Sequence, residues 1–197
     1  MPKKPPSSNP SSSKKKAASP DLQRRNPVPH PRLLVLGETG NRTASYRKQD
    51  TIRGFFDCID IDAIDNSTNR ITSPKRFPVK DAPSRASREI ASGDVLFSVV
   101  RPYLKTIAMV SDERKDCIAS TGFFVCRPSC GVDKEYLFYS MISSFIVNAI
   151  NAHMKGDNSP LVRKKNIENK LFPLSPLAEQ KRIVEKLESI LDNLETQ

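Results

Sequence analysis

Few residues in this chain have the type and spacing to do covalent chemistry. Asp157 followed by Glu168-Asn169-Lys170 has the acid-then-acid-x-lysine grouping of a metal-dependent nuclease. Such a centre needs its carboxylates on adjacent strands around Mg²⁺, whereas Asp157 sits in a polar loop. Cys126 and Cys130 are close in sequence, but zinc centres combine such pairs with further His or Cys ligands, and the two histidines are His30 and His153. The four cysteines therefore read as reduced, mostly buried thiols. Asn26-Pro27-Val28-Pro29 lacks the aromatic residue that would stack a flipped base. Gly37-Glu38-Thr39-Gly40 is no phosphate-cradling loop, because no βαβ pattern surrounds it. For a Ser/His/Asp arrangement only His153 could serve. The sequence thus predicts no catalytic residue, no metal and no cofactor.

Two loops have the composition of a contact surface for nucleic acid. In Ala82–Arg88, Ser84, Arg85 and Arg88 supply hydroxyl and guanidinium donors. In Lys155–Lys165, Lys155, Asn158, Ser159, Arg163 and Lys164 do the same. Arg101, Tyr103 and Lys105 flank an apolar run and could complete the surface. Arginine can bond two acceptors on guanine and asparagine two on adenine, while lysine mostly holds phosphate. Any one of these could be an ordinary solvated residue, so the set carries the inference.

The bulk properties bound the rest. At 197 residues, with 37% hydrophobic residues, the chain suits one packed domain with tails. The net charge is +10, but residues 1–32 hold eight basic residues against Asp21 alone, and residues 177–197 hold three against five acidic ones. The part between is only modestly basic, so charge alone does not decide for DNA. No apolar run approaches the ~20 residues of a membrane-spanning helix, and the N-terminus lacks a secretory pattern. The sequence reads as soluble and cytoplasmic, without a membrane partner.

The elements that must position these residues follow from period and punctuation. Residues 1–32, rich in Pro, Ser and Lys, read as a disordered basic tail. Order is expected from near Leu33, with strands at Phe55–Ile61, Val95–Val100 and Thr106–Val110; Ile118–Ser120 and Phe123–Cys126, flanking Thr121-Gly122, read as two further short strands or one strand with a bulge. Asn66–Arg70 reads as a turn and Lys75–Arg88 as an irregular loop. Asp133–Met154 changes to helical spacing, with Asp133 as N-cap. After a polar loop and a short return through Ile167 and Leu171, Ser175-Pro176 opens a helix at Leu177. The prediction is an α+β fold: a mixed-sheet domain over residues 33–176 and one long helix of coiled-coil type over 177–197. In that helix Ile183, Leu187, Ile190 and Leu194 alternate steps of four and three, a coiled-coil seam, with Leu177 at its start. An ordinary amphipathic helix packed on its own domain is the alternative.

Seven segments, in order, resemble the specificity subunits of type I restriction–modification systems. They are Ile59-Asp60-Ile61 with Ile64-Asp65-Asn66; Asp81-Ala82-Pro83-Ser84-Arg85-Ala86; and Gly93-Asp94-Val95-Leu96-Phe97-Ser98 with Arg101-Pro102-Tyr103-Leu104. Next come Ile118-Ala119-Ser120-Thr121-Gly122-Phe123, Tyr136-Leu137-Phe138-Tyr139 and Lys155-Gly156-Asp157-Asn158-Ser159-Pro160. The last is Pro173-Leu174-Ser175-Pro176-Leu177-Ala178-Glu179-Gln180-Lys181-Arg182-Ile183-Val184. The resemblance implies a target-recognition domain that reads one half-site of double-stranded DNA. It also implies a spacer helix that docks methyltransferase subunits, with methylation and cleavage left to methyltransferase and restriction subunits. Family members generally carry two recognition domains and two helices. One of each is legible here, and a helix over 177–197 would span only ~32 Å. The chain thus reads as one recognition domain with a shortened spacer helix, and a homodimer through the C-terminal helix or a second half-subunit would supply the other half-site. A fragment that only binds protein partners is the alternative.

Overall fold

The computed structural model describes the backbone of residues 32–35, and residues 54–154 and 160–195. At its centre lies strand β7 (Val95–Ser98), every residue of which is buried. Its neighbours are β8 (Ile107–Met109) and β10 (Phe123–Cys126), both antiparallel to it, in the order β10-β7-β8. Side chains alternate across a strand, so this sheet packs on both faces. Val95, Phe97, Phe124 and Cys126 join one core cluster, while Leu96, Phe123 and Val125 join another. Burial on both sides explains why Val95–Val100 reads as an apolar run interrupted only by Ser98 instead of an alternating one.

The first cluster is closed by α1 (Lys134–Ile142), α2 (Ser144–Asn151), α3 (Lys164–Glu168) and β11 (Leu171–Leu174), through Leu137, Met141, Ile146, Ile150, Ile167 and Phe172. The second is closed by a four-stranded sheet of β2 (Phe55–Ile59), β5 (Lys75–Pro78), β6 (Ala86–Glu89) and β9 (Ile118–Ser120), in the order β5-β2-β9-β6. Within it β2 and β9 run parallel and the outer pairs antiparallel, so the sheet is mixed. Two small sheets complete the description: β1 (Arg32–Val35) with β11, and β3 (Ile64–Asp65) with β4 (Arg70–Ile71). The α+β expectation holds, and so does the long terminal helix, α4 (Leu177–Glu195).

Three sequence expectations change in detail. Lys75–Arg88 is not wholly irregular: it holds β5 and β6, the outer strands of their sheet. Edge strands accept proline and polar side chains, which is why their composition reads as loop. The strand from Phe55 stops at Ile59, because the Asp60 carboxylate accepts from the Ile61 N–H (2.9 Å) and caps a 3₁₀ turn over Ile61–Ala63. The helix expected over Asp133–Met154 is two helices. Asp133 caps the first, accepting from the Tyr136 N–H at 3.0 Å. Ser143 ends it and starts the second: its hydroxyl donates to the Ser140 carbonyl and accepts from the Ile146 N–H. A serine can serve both ends, and the apolar spacing runs on through the break.

Two polar groups inside the core hold the layers in register. The Asp94 carboxylate, almost wholly buried, takes a two-pronged contact from Arg127 (2.9 and 2.7 Å) and the Ala91 N–H. Gln180, on the first turn of α4, is fully buried. Its Oε1 accepts from the Asp133 N–H (2.8 Å), and its Nε2 donates to the carbonyls of Gly131 (2.8 Å) and Ser175 (2.7 Å). One side chain thereby ties α4 to the start of α1. Replacing Gln180 with Ala removes three part-buried hydrogen bonds and leaves a gap where the buried side chain stood, and should cost roughly 1–3 kcal/mol. Urea unfolding should show that loss, and amide exchange along the first turns of α4 should accelerate; an unchanged midpoint would show that the tie carries no stability.

Candidate nucleic-acid interface

Those predicted contact residues that fall among the described ones sit on segments that are stitched together by backbone hydrogen bonds. The Thr121-Gly122 turn between β9 and β10 is the first stitch. Its Thr121 N–H donates to the Arg85 carbonyl (2.8 Å), and its Gly122 carbonyl accepts from the Val99 N–H (2.9 Å). A Cβ at Gly122 would lie 3.0 Å from Ile61 Cδ1 and 3.1 Å from Ser120 Oγ, so this close approach favours glycine. The second stitch joins the end of β7 to residues 160–162. The Val162 N–H donates to Val99 and the Arg101 N–H to Pro160 (both 2.9 Å), with Val100 and Leu161 bridged between them. The loop of Ser84 and Arg85, the residues after β7 and the entry to α3 therefore form one hydrogen-bonded series.

Arg101 and Lys105 flank a 3₁₀ turn over Pro102–Leu104, and both adopt left-handed backbone (φ +46° and +52°). Pro102 is buried beneath the turn, while Tyr103 and Leu104 stand about half exposed. Arg163 is exposed and precedes α3; Lys164 opens that helix. Ser84 and Arg85 are exposed, and the Arg85 guanidinium is paired with the Asp60 carboxylate. Arg88 differs: it lies within β6, partly buried, with its Nε shielded from solvent. Lys155, Asn158 and Ser159 lie outside the described residues, as does Asp157.

Several further participants are not among the contact residues expected from the sequence, although most lie in the segments that carry the family resemblance. Asp60 holds Arg85, and Thr121 and Gly122 join the segments. Asn66 and Asn69, in the turn between β3 and β4, donate to the carbonyls of Leu104 (3.1 Å), Lys105 (3.1 Å) and Ile107 (2.9 Å). Hydrogen bonds from Ser67 and Thr68 hold the Asp65 carboxyl of the same turn below the usual carboxylate range. The Asp-Asn-Ser-Thr-Asn run was itself the available signal, since Asn and Asp close turns and bond nearby backbone.

The terminal helix divides along its length. Gln180 and Val184 are buried and Ile183 is packed at the margin of the core. Tyr139 of α1 meets Glu188; burial first, and then that acidic neighbour, push its phenol above the usual range. Of the seam residues, Leu177, Leu187, Ile190 and Leu194 are exposed, joined by Leu191. A groove of about 310 Å³ lies between α1, α2 and α4, lined by Tyr139, Phe145, Ile183 and Leu187.

Among the described residues no group of three or more His, Cys, Asp and Glu is placed to hold a metal ion, and no helix is long and apolar enough to cross a membrane. Lys170 Nζ lies 2.7 Å from His153 Nε2, so that imidazole nitrogen is engaged by an amine rather than by a hydroxyl nucleophile. Burial pushes the Cys58 thiol up to about 11 and raises Cys117 and Cys126 as well; Cys130 is exposed.

Residues 37–197 match the sequence model of the family described as type I restriction modification DNA specificity domain. The chain is 31% identical over 110 residues to the MjaVIII type I restriction enzyme specificity subunit of Methanocaldococcus jannaschii, covering 53% of this chain and 25% of that protein. The crystal structure of the HsdS subunit from Thermoanaerobacter tengcongensis superposes with a TM-score of 0.77 and 39% identity, covering 85% of this chain and 44% of that one. A chain from a structure on complex assembly and conformational transition of the type I R-M system gives 0.78 and 39%, with the same coverage. The chain thus spans a quarter of the curated relative and under half of each solved chain.

The thiol environments predict a simple reactivity order. At pH 8 a thiol-specific reagent should label Cys130 in the native protein, and all four cysteines only after denaturation. Rapid native labelling of Cys58, Cys117 or Cys126 would contradict their protonated, buried state.

Proposed function

Because the chain belongs to the type I restriction–modification DNA specificity family, we propose that it is a DNA-reading subunit without catalytic chemistry of its own. The observation that carries this reading is the hydrogen-bonded series of segments that gathers Ser84, Arg85, Arg101, Tyr103, Lys105, Arg163 and Lys164. Lys155, Asn158 and Ser159 belong to the same proposed surface by sequence, since Pro160 continues directly into its second stitch. Arg88 is the weakest member, being partly buried. Arg85 and Asn158 are assigned to base edges, and the lysines to phosphates. The Asp60 partner keeps the Arg85 fork aimed in the absence of DNA, and its own side chain is largely shielded.

The domain proposed over residues 33–176 would read one half-site of double-stranded DNA. The helix beyond it would dock methyltransferase subunits, with the restriction subunit joining that assembly. Methylation and cleavage would belong to those partners, in the cytoplasm. A second copy of α4 is also a fitting partner. Leu187, Ile190 and Leu194 expose an apolar seam that a helix would cover. The first half of α4 holds Lys181, Arg182 and Lys186 with Glu179 and Glu185, while the second holds Glu188, Asp192 and Glu195 without a basic residue. Antiparallel pairing sets these unlike charges side by side and opposes the helix dipoles.

Three measurements test this reading. Selection from a random duplex library, with the chain and a cognate methyltransferase subunit, should enrich a short motif; a gapped palindrome would point to a homodimer. On that motif Arg85→Ala should lower affinity by about ten- to a hundredfold, the worth of a bidentate base contact. Scrambled DNA should be affected far less, and equal losses on both would remove Arg85 from base readout. Independently, Ile190→Glu with Leu194→Glu should abolish self-association in sedimentation experiments while leaving the thermal midpoint of the domain unchanged. Persistent dimers would place the interface elsewhere.

A further inference from the structure

The turn between β3 and β4 spends its polar side chains in two directions. Asp65 faces its own turn, accepting from the Ser67 N–H (2.9 Å), the Ser67 hydroxyl (2.7 Å) and the Thr68 hydroxyl (2.9 Å). The two asparagines reach away from it, across to a segment more than thirty residues further along the chain. There they engage the carbonyls of Leu104, Lys105 and Ile107, the exit from the 3₁₀ turn and the start of β8, an edge strand of its sheet. Asn69 supplies two of the three bonds from one carboxamide nitrogen, and its own backbone is left-handed (φ +55°).

What these bonds hold is an unfavourable shape. Arg101 and Lys105 both occupy the left-handed region, where an ordinary side chain is strained and glycine is not. If shape were the sole requirement, glycine would meet it at both positions. The chain instead keeps two long cations there, so the strain persists together with the charge, a combination found where surrounding structure over-determines a functional loop. Here that surrounding structure is Asn66 and Asn69 on one side, and the Arg101 N–H on the Pro160 carbonyl on the other.

We propose that Asn69 is a positioning residue for DNA recognition: it fixes the Arg101–Lys105 turn so that Arg101, Tyr103 and Lys105 meet the duplex together, without touching DNA itself. This rests on the DNA-reading function proposed above. Asn69 acts through the carbonyls of Lys105 and Ile107. A turn released from them relaxes from its left-handed geometry, and its cations then lose entropy on binding that the native turn has already lost.

The test uses the full chain with its methyltransferase subunit and the selected duplex. Asn69→Gly keeps a backbone that tolerates positive φ and removes both donors. Affinity for the duplex should fall about tenfold, and the dependence of log affinity on log salt should flatten by about one phosphate contact. In a chain already carrying Arg101→Ala, Tyr103→Ala and Lys105→Ala, the same substitution should have no further effect, which a merely structural role would not produce. In the free chain, amide exchange over residues 103–106 should accelerate. Asn66→Ala, an exposed change that removes only the Leu104 bond, should give a smaller loss and guards against misfolding of the first variant. If Asn69→Gly binds within twofold of the native chain while Arg101→Ala with Lys105→Ala weakens binding, the positioning role is overturned and DNA reading stands. An equal loss in both backgrounds overturns it as well. If the native chain binds no duplex at all, the reading and this inference fall together.

Discussion

Strand β7 has no face left for solvent, and much else follows from that constraint. A strand buried on both sides must be supplied with a layer on each, so helices and β11 gather on one face and the mixed sheet on the other. Polar chain can then emerge only at its ends. At the beginning, Asp94 is admitted to the interior because Arg127 and a backbone N–H satisfy it. At the far end, Val99–Arg101 leaves the sheet and is met by the Gly122 turn and by residues 160–162. The contact surface proposed for DNA is built at this exit, where the rigidity of the core passes into loops.

The parts of the fold legible in the sequence are those where burial and period agree. β7, β8, β9, β10 and α4 were readable because their apolar residues are core residues and their ends carry recognisable punctuation, such as Ser175-Pro176 before α4. β5 and β6 were not, since an edge strand needs only one partner and few apolar side chains: Lys75 and Arg76 are exposed and Ala86 alone is buried in β6. The break at Ser143 was hidden for a different reason. Tyr136, Leu137, Met141, Ile146, Val147 and Ile150 all reach one core cluster, so the apolar pattern runs across a place where the backbone does not.

The candidate site divides in the same way. Charge and hydroxyl content point to the outer residues, and Arg85, Arg101, Tyr103, Lys105 and Arg163 are indeed on connected segments with exposed side chains or turns. The inner residues that connect them work through amides and backbone, which composition does not flag. Asn66, Asn69 and Thr121 look like loop polarity, and their partners are some 35 residues distant. Gln180 is a polar residue in an amphipathic helix and invites assignment to the solvent side, yet it is the best buried residue of α4. Only long-range pairing, invisible to local pattern, separates it from its neighbours Glu179 and Lys181.

The way Gln180 grips the first turn of α4 gives the helix the properties of a ruler with one fixed end. The residues of α4 beyond Gln180 extend ~22 Å from that grip at ~1.5 Å each, and the outer half makes its apolar residues available at the far end. A tilt of ~10° at the base would swing the tip by ~4 Å, comparable to the ~3.4 Å rise of one nucleotide step. The aim of the helix is therefore set jointly by three hydrogen bonds from a single carboxamide and by the packing of Ile183 and Val184 just beyond it. Anything held at the tip takes its position relative to the domain from this anchored base, so a slackening there is magnified at the far end.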